Sequence, residues 1–249
     1  MTKNINCLVR RIKMKSLVLV SGGLDSTVLL HYVKAKYSRS TNEVIALSIQ
    51  YGQKHAIEGK CAEWQCDKLG VPLYKADLSE AFKFNINSSS LLAGSELEIP
   101  EGSYAEQGDH NTAYVPYRNG LFLSFAASVA LQLGCADIYY GAHIDDEVGS
   151  AYPDCTHEFV YAQEDAIVHG TGGKVVLITP WLTMDMNKTD IVKMGLSCGM
   201  EPIDFAHTWS CYEGKDVPCG KCGTCIDRNV AMRNNGLIDT VITWDRDEQ

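Results

Sequence analysis

Six residues, Ser21-Gly22-Gly23-Leu24-Asp25-Ser26, constrain this chain more than any other stretch. They join a short apolar run, Leu17-Val18-Leu19-Val20, to an apolar-periodic segment from Thr27 to Ala35. Strand, glycine turn and helix in that order make a phosphate loop. Two glycines let the backbone turn tightly and bring its N–H groups close to an anion. The helix that follows aims its positive dipole end at the same anion, and Ser21 and Ser26 add hydroxyl donors. No lysine follows in the Walker A pattern, so this loop is not built to cradle a γ-phosphate in the P-loop manner. The alternative is an ordinary Gly-Gly turn between strand and helix.

Ser-Gly-Gly-x-Asp-Ser after a first strand resembles the PP-loop ATP pyrophosphatases. That resemblance implies a loop gripping the pyrophosphate of ATP while an acceptor oxygen attacks the α-phosphorus.

The rest of the chain reads as alternating strands and helices. Strands are expected at 44–49, 71–78, 137–141 and 175–178, the last closed by Pro180. Helices are expected from the Tyr51–His55 turn to Leu69, over 118–133 with Gly134 as cap, over 156–168, and over 187–194 with Asn187 or Asp185 as cap. This alternation predicts parallel βαβ units: an α/β fold with a five-stranded, mostly parallel sheet flanked by helices, and the PP-loop resemblance implies an adenine nucleotide α-hydrolase-like, Rossmann-like form of it. Ligands of such sheets bind at the carboxyl ends of the strands. Residues 79–112 lose the pattern and read as a long flexible lid or a disordered insertion. From about Phe205 the chain turns cysteine-rich and short of apolar periodicity. The organisation is then 14–204 as an ATP-binding domain and 205–240 as a metal-binding appendage. The basic stretch Met1–Lys13 precedes too short an apolar run for a signal peptide and reads as an extension or an upstream start, with Met14 near the core's beginning.

A formal net charge of −9 argues against broad nucleic-acid or anionic-membrane binding. No apolar run approaches the roughly 20 residues that span a bilayer. Ten cysteines, six scattered and four clustered, fit a cytoplasmic protein with free thiols and one metal site better than a disulfide framework.

The cluster is Cys211-x7-Cys219-x2-Cys222-x2-Cys225. Zinc favours four tetrahedral thiolates, and four protein ligands close the site, making it structural. Lys215, Lys221 and Arg228 are placed to offset its negative charge. An iron–sulfur cluster suits the same spacing, and reduced, unliganded cysteines are a third reading.

Four further motifs appear in order: Tyr51-Gly52-Gln53-Lys54-His55, Tyr114-Val115-Pro116-Tyr117-Arg118-Asn119, Tyr152-Pro153-Asp154-Cys155 and Thr208-Trp209-Ser210-Cys211-Tyr212, followed by the clustered cysteines. From about Lys15 to Leu237 this set resembles the preQ0 (7-cyano-7-deazaguanine) synthases, the QueC family of PP-loop enzymes in queuosine biosynthesis. The resemblance implies a ligase forming carbon–nitrogen bonds from ATP, ammonia and 7-carboxy-7-deazaguanine, with Mg2+, a structural Zn2+ and a homodimer. It implies ATP contacts around Val20, Ser21, Gly22, Gly23, Leu24, Asp25, Ser26, Thr27, Val28, Leu29 and Leu30, with Ser48 and Gln53. Asp25 is expected to partner magnesium and Lys188 to neutralise phosphate charge, unless Lys188 is a solvated helix lysine. Arg118 is expected to meet a phosphate or carboxylate, or else an internal salt bridge. Asp154 is expected to read the guanine-like edge, or else to cap the helix after it. Tyr114, Asn119, Tyr152 and Trp209 complete the substrate group; His55 and His207 are pocket or structural histidines. The family usually has Ala where Tyr117 stands, Arg where Thr156 stands and Asn near His143. Asp145-Asp146 beside that histidine adds acidity at the fourth strand's end, or is a solvated loop. These departures leave room for a paralogue that stops at the amide. The PP-loop and cysteines also suit a tRNA thiolase, or a nucleotide sensor without turnover.

Overall fold

The computed structural model describes residues 14–38, 42–54, 57–102, 112–146 and 152–240. The expectations for Met1–Lys13 and His55 lie outside these residues, as does part of the 79–112 segment.

Five parallel strands form one sheet in the order β3-β2-β1-β4-β5: β1 Lys15–Leu19, β2 Glu43–Gln50, β3 Leu73–Asp77, β4 Asp137–Tyr139 and β5 Val176–Ile178. The longer helices are α1 Leu24–Lys36, α2 Ile57–Leu69, α4 Arg118–Leu133, α5 His157–Gly170, α7 Lys188–Ser197 and α9 Gly223–Asn234. Short helices α3 Ser79–Phe82, α6 Pro180–Thr183 and α8 Pro202–Ala206 lie between them.

Successive strand residues point to opposite faces. Val18, Val44 and Ala46 join Val28, Leu29, Ile191 and Val192 in one core layer. Leu17, Ile45 and Leu47 join Leu123, Ala126 and Ala130 in the other. Both faces are covered, which is why the central strands read as continuous apolar runs. The strand order reverses between β1 and β4, and such a switch point opens a crevice at the strands' carboxyl ends.

Two regions depart from the sequence reading, and one open choice between caps is decided. The described part of 79–112 is anchored rather than loose: Phe82, Leu91 and Leu92 bury against Tyr51, Ala113 and Val115, and Lys54 N–H and Ala93 N–H bond the carbonyls of Leu91 and Gly52 at 2.9 and 2.7 Å. The cysteine-rich end contains a whole helix, α9, whose Ala231 and Met232 enter the main core; its low apolar content hid it. Asn187, not Asp185, caps α7, sharing a capping box with Asp190.

Candidate active site

The loop after β1 turns at Gly22, whose φ is +97°. A Cβ there would lie 1.9 Å from the Glu58 carbonyl oxygen, so α2 packs directly on the loop backbone. Ser21 Oγ accepts from Gly23 N–H at 3.0 Å, and Ser26 Oγ accepts from Ser21 N–H at 3.2 Å. The loop is thereby ordered by its own hydroxyls, with α1 starting behind it.

Asp25 and Lys188 come from opposite sides of the switch point. Lys188 opens α7, is 5% exposed, and places Nζ 3.5 Å from Asp25 Oδ2. It is therefore a buried ion-pair lysine, not a solvated one. His143, on the loop after β4, is 2% exposed. Its Nε2 lies 3.6 Å from Asp25 Oδ2 and 3.7 Å from Asp146 Oδ2. Asp145 turns inward and accepts the Lys188 backbone N–H at 2.7 Å, so the acidic pair is not a solvated loop.

Burial opposes ionisation of Asp25, but Lys188 and His143 outweigh it and hold the carboxyl well below its usual value. Burial also opposes charge on His143 and Lys188. Asp146 and Asp25 nevertheless lift the histidine above 6.5, and Asp25 with Asp146 leads the acids that lift the lysine above 10.5. Asp25 Oδ1 and His143 Nδ1 are buried without a hydrogen-bond partner.

A cavity of about 240 Å³ opens over this cluster. Of the sequence-predicted residues, Val20, Ser21, Gly23, Leu24, Asp25, Ser26, Ser48, Gln53, Arg118, Asn119, Lys188, Tyr152 and Trp209 line it. Others do not. Gly22 turns its back to the cavity, against α2. Thr27, Val28, Leu29 and Leu30 are buried on α1, the last three in the core, because a helix leaving the loop carries them away from its mouth. Tyr114 packs on Tyr152 and Cys155, and its hydroxyl accepts the Tyr117 N–H at 3.0 Å. His207 stacks on Trp64 at 3.6 Å.

Asp154 also lies behind the wall. Its Oδ2 accepts the Asn119 N–H at 2.9 Å, at the start of α4, while Thr156 caps α5 in its place. Asp154 therefore orients Asn119 and Arg118 rather than facing the cavity.

Arg118 has no carboxylate within ion-pair distance among the described residues. Its Nη1 donates to Tyr51 Oη at 3.1 Å, and its guanidinium sits 5.2 Å from the Tyr51 ring centre. Burial opposes the charge, yet the neighbouring Tyr51 and Asp154 keep it raised above the usual 12.5. Phe122, Tyr140, Tyr152 and Tyr212 surround this end, with Cys155. Burial pushes the Cys155 thiol well above its usual value, and it accepts from Asn119 Nδ2 at 3.1 Å.

The four sulfurs of Cys211, Cys219, Cys222 and Cys225 lie within 4.8 Å of one another. Backbone N–H groups of Cys219 and Cys222 point at the sulfurs of Cys211 and Cys219, at 3.3 and 3.4 Å. Such donors stabilise thiolates, so this donor set fits a soft divalent metal or an iron–sulfur centre. Of the three cations expected to offset it, Lys215 still feels the Cys219 and Cys211 sulfurs, and the other two are engaged elsewhere. Arg228 is buried and bonds Asp239, Thr208 and the Phe205 carbonyl; Lys215 pairs with Glu213 and Lys221 with Glu101.

Sequence reading missed His143 as partner of Asp25, Asp146 as partner of that histidine, and Tyr51 as partner of Arg118. Their place after β4 and β2 was the available signal, but only the strand order brings those loops beside β1.

A U34-tRNA thiolase from Methanococcus maripaludis is a structural neighbour at 14% identity and TM-score 0.44, covering 76% of this chain and 58% of that one. That likeness carries no argument. Sequence relatives reach much further. The 7-cyano-7-deazaguanine synthase of Methanoregula boonei is 40% identical over 227 residues, 91% of this chain and 97% of the relative. That of Caldicellulosiruptor saccharolyticus is 39% identical over 238 residues, 94% and 99%. The family described as queuosine biosynthesis protein QueC matches residues 15–236, from the start of β1 past the end of α9. Loop, cavity and cysteine cluster all fall inside that span, and the chain belongs to the QueC family.

Proposed function

We propose that this protein is an ATP-dependent ligase that converts 7-carboxy-7-deazaguanine and ammonia to 7-cyano-7-deazaguanine. The observation carrying this reading is one cavity with a phosphate loop at one end and, among aromatic rings at the other, the Arg118 guanidinium, which has no carboxylate in ion-pair distance among the described residues. Family membership and the name its relatives bear support the same substrate.

In this reading the substrate carboxylate pairs with Arg118, and the flat bicyclic base lies among the tyrosines near Asn119. A carboxylate oxygen attacks the α-phosphorus of ATP and pyrophosphate leaves. Ammonia then adds to the acyl adenylate and AMP departs, giving the amide. A second ATP activates the amide oxygen, and loss of AMP and protons leaves the nitrile. Carboxylate and amide oxygens are poor leaving groups, and adenylation makes each a good one. The chemistry asks the protein chiefly for alignment and for stabilisation of charge building on the phosphates. Loop amides of residues 21–26, the Ser21 and Ser26 hydroxyls and Lys188 supply that stabilisation. His143 holds the same Asp25 oxygen that Lys188 does.

Two metals belong to this reading. Asp25, with a buried unpartnered Oδ1, fits magnesium accompanying ATP, which would supply charge neutralisation on the phosphates. The four cysteines fit a closed, structural zinc. Residues 14–204 act as the ATP-binding domain and 205–240 as the zinc-binding segment, in a cytoplasmic homodimer. Among the described residues no helix is long and apolar enough to cross a membrane.

The test is incubation of purified protein with ATP, magnesium, ammonium and 7-carboxy-7-deazaguanine, with products followed by mass spectrometry. The expected result is nitrile with one AMP for each adenylation. Amide accumulating without nitrile would make this a paralogue that stops halfway. ATP binding without substrate-dependent AMP release would remove the ligase reading.

A further inference from the structure

The cysteine cluster and the phosphate loop meet through one residue. The Trp209 backbone N–H donates to the Gly22 carbonyl at 3.0 Å. Its indole Nε1 donates to the Cys211 carbonyl at 2.9 Å, and the ring is fully buried. The fit is close, since a Cβ on Gly23 would lie 3.4 Å from the Trp209 carbonyl. A second tie runs from the cluster's other arm. Thr224, between Cys222 and Cys225, donates to the Ser210 carbonyl at 2.7 Å and lies 3.3 Å from Cys222 Sγ. Ser210 and Thr224 line the same cavity as Ser21 and Gly23.

A trans peptide is planar, so its carbonyl and the next N–H point in opposite directions. Fixing the Gly22 carbonyl on Trp209 therefore fixes where the Gly23 N–H points. It points into the loop, toward Ser21 Oγ at 3.0 Å. Gly22 is free to rotate through many conformations, so the loop needs an outside anchor to hold this peptide still.

We propose that Trp209 is a positioning residue through which the metal-loaded cysteine cluster sets the phosphate loop for polyphosphate binding. The metal then does more than fasten the C-terminal segment: it tunes affinity at a loop it does not touch. This rests on the reading above, in which the loop grips pyrophosphate and the cysteines hold a metal.

The test uses pyrophosphate, ATP and adenosine as probes in calorimetric titrations of the zinc-loaded protein. Trp209→Phe keeps an aromatic ring but removes the bond to Cys211. Thr224→Val removes the second tie at nearly constant shape. Each is expected to keep its zinc content and to weaken pyrophosphate and ATP about five- to tenfold, with adenosine unchanged. Chelation of the wild type should give the same selective loss, reversed when zinc is returned. Unchanged pyrophosphate affinity in both variants would overturn the proposal. So would adenosine weakening in step with pyrophosphate, which would mean general loosening. A loaded wild type that binds no pyrophosphate would instead remove the nucleotide reading beneath it.

Discussion

The two ends of the cavity handle charge in opposite ways. At the phosphate end the charges are balanced internally: Lys188 and His143 lie 3.5 and 3.6 Å from Asp25, and Asp146 lies 3.7 Å from the same histidine. At the other end Arg118 is charged, part-buried and held, among the described residues, by Tyr51 and its neighbour Asn119. A cluster already paired internally offers little free charge to a resting anion, so the grip on bound ATP falls chiefly to the shape of the loop, while Lys188 acts on charge that builds during reaction. An unpaired guanidinium gains most from a carboxylate. The contrast predicts that the loop's shape governs ATP, while one side chain's charge geometry governs the second substrate.

The strongest way to break this contrast is Gly22→Ala. The side chain meets the Glu58 carbonyl at 1.9 Å, and a φ of +97° strains any residue but glycine. We expect a loss of about 3 kcal/mol in stability and of measurable pyrophosphate binding. A melting curve and a pyrophosphate titration unchanged from wild type would show that loop shape does not govern this end.

Lys188→Met comes next. It removes one of the two cations against Asp25 and leaves His143. Removing one partner of a buried pair costs ~3–5 kcal/mol; with Asp25 a quarter exposed, we expect ~2 kcal/mol in denaturant unfolding. AMP release should fall about a hundredfold or more, as for loss of one charge-stabilising donor. Full turnover would remove Lys188 from the phosphate chemistry.

Arg118→Lys tests the opposite end. Lysine keeps the charge and loses the planar fork, so the KM for the carboxylate substrate should rise about tenfold. ATP affinity should stay as it is, because the loop is untouched. If ATP weakens and the KM does not move, the two ends have been assigned the wrong way round.

What the sequence revealed follows the same division. The β1–loop–α1 unit was readable because its signals are local: an apolar run, two glycines and a helical period lie within 20 residues. The cysteine cluster was readable for the same reason, its last three ligands lying within seven residues. The partners of Asp25 and Arg118 were not. His143 lies 118 residues from Asp25 in sequence, and Tyr51 lies 67 from Arg118. Strand order brings those loops together, and no local pattern encodes it. The start of α1 shows how quickly a local signal changes meaning: one turn of helix beyond the loop, Thr27 is buried and Val28, Leu29 and Leu30 are in the core.

The smallest effect is expected at Tyr51. Tyr51→Phe keeps the ring that packs edge-on against Phe82 and Phe122 at 5.8 and 5.6 Å and keeps its face toward Arg118. Only the oxygen accepting from Arg118 Nη1 is lost. Burial holds the phenol above its usual value of 10, so the lost contact is a neutral acceptor on a charged donor. A bond to a charged group is worth about 1.5–3 kcal/mol; with Arg118 half-buried and still over the ring, we expect about 1 kcal/mol, roughly a fivefold rise in KM for the carboxylate substrate. Arg118 would remain in place through its stack, so kcat should hold. A rise as large as that of Arg118→Lys would mean that Tyr51 touches the substrate directly. No change at all would mean that the substrate's carboxylate, and not the tyrosine, fixes the guanidinium once bound.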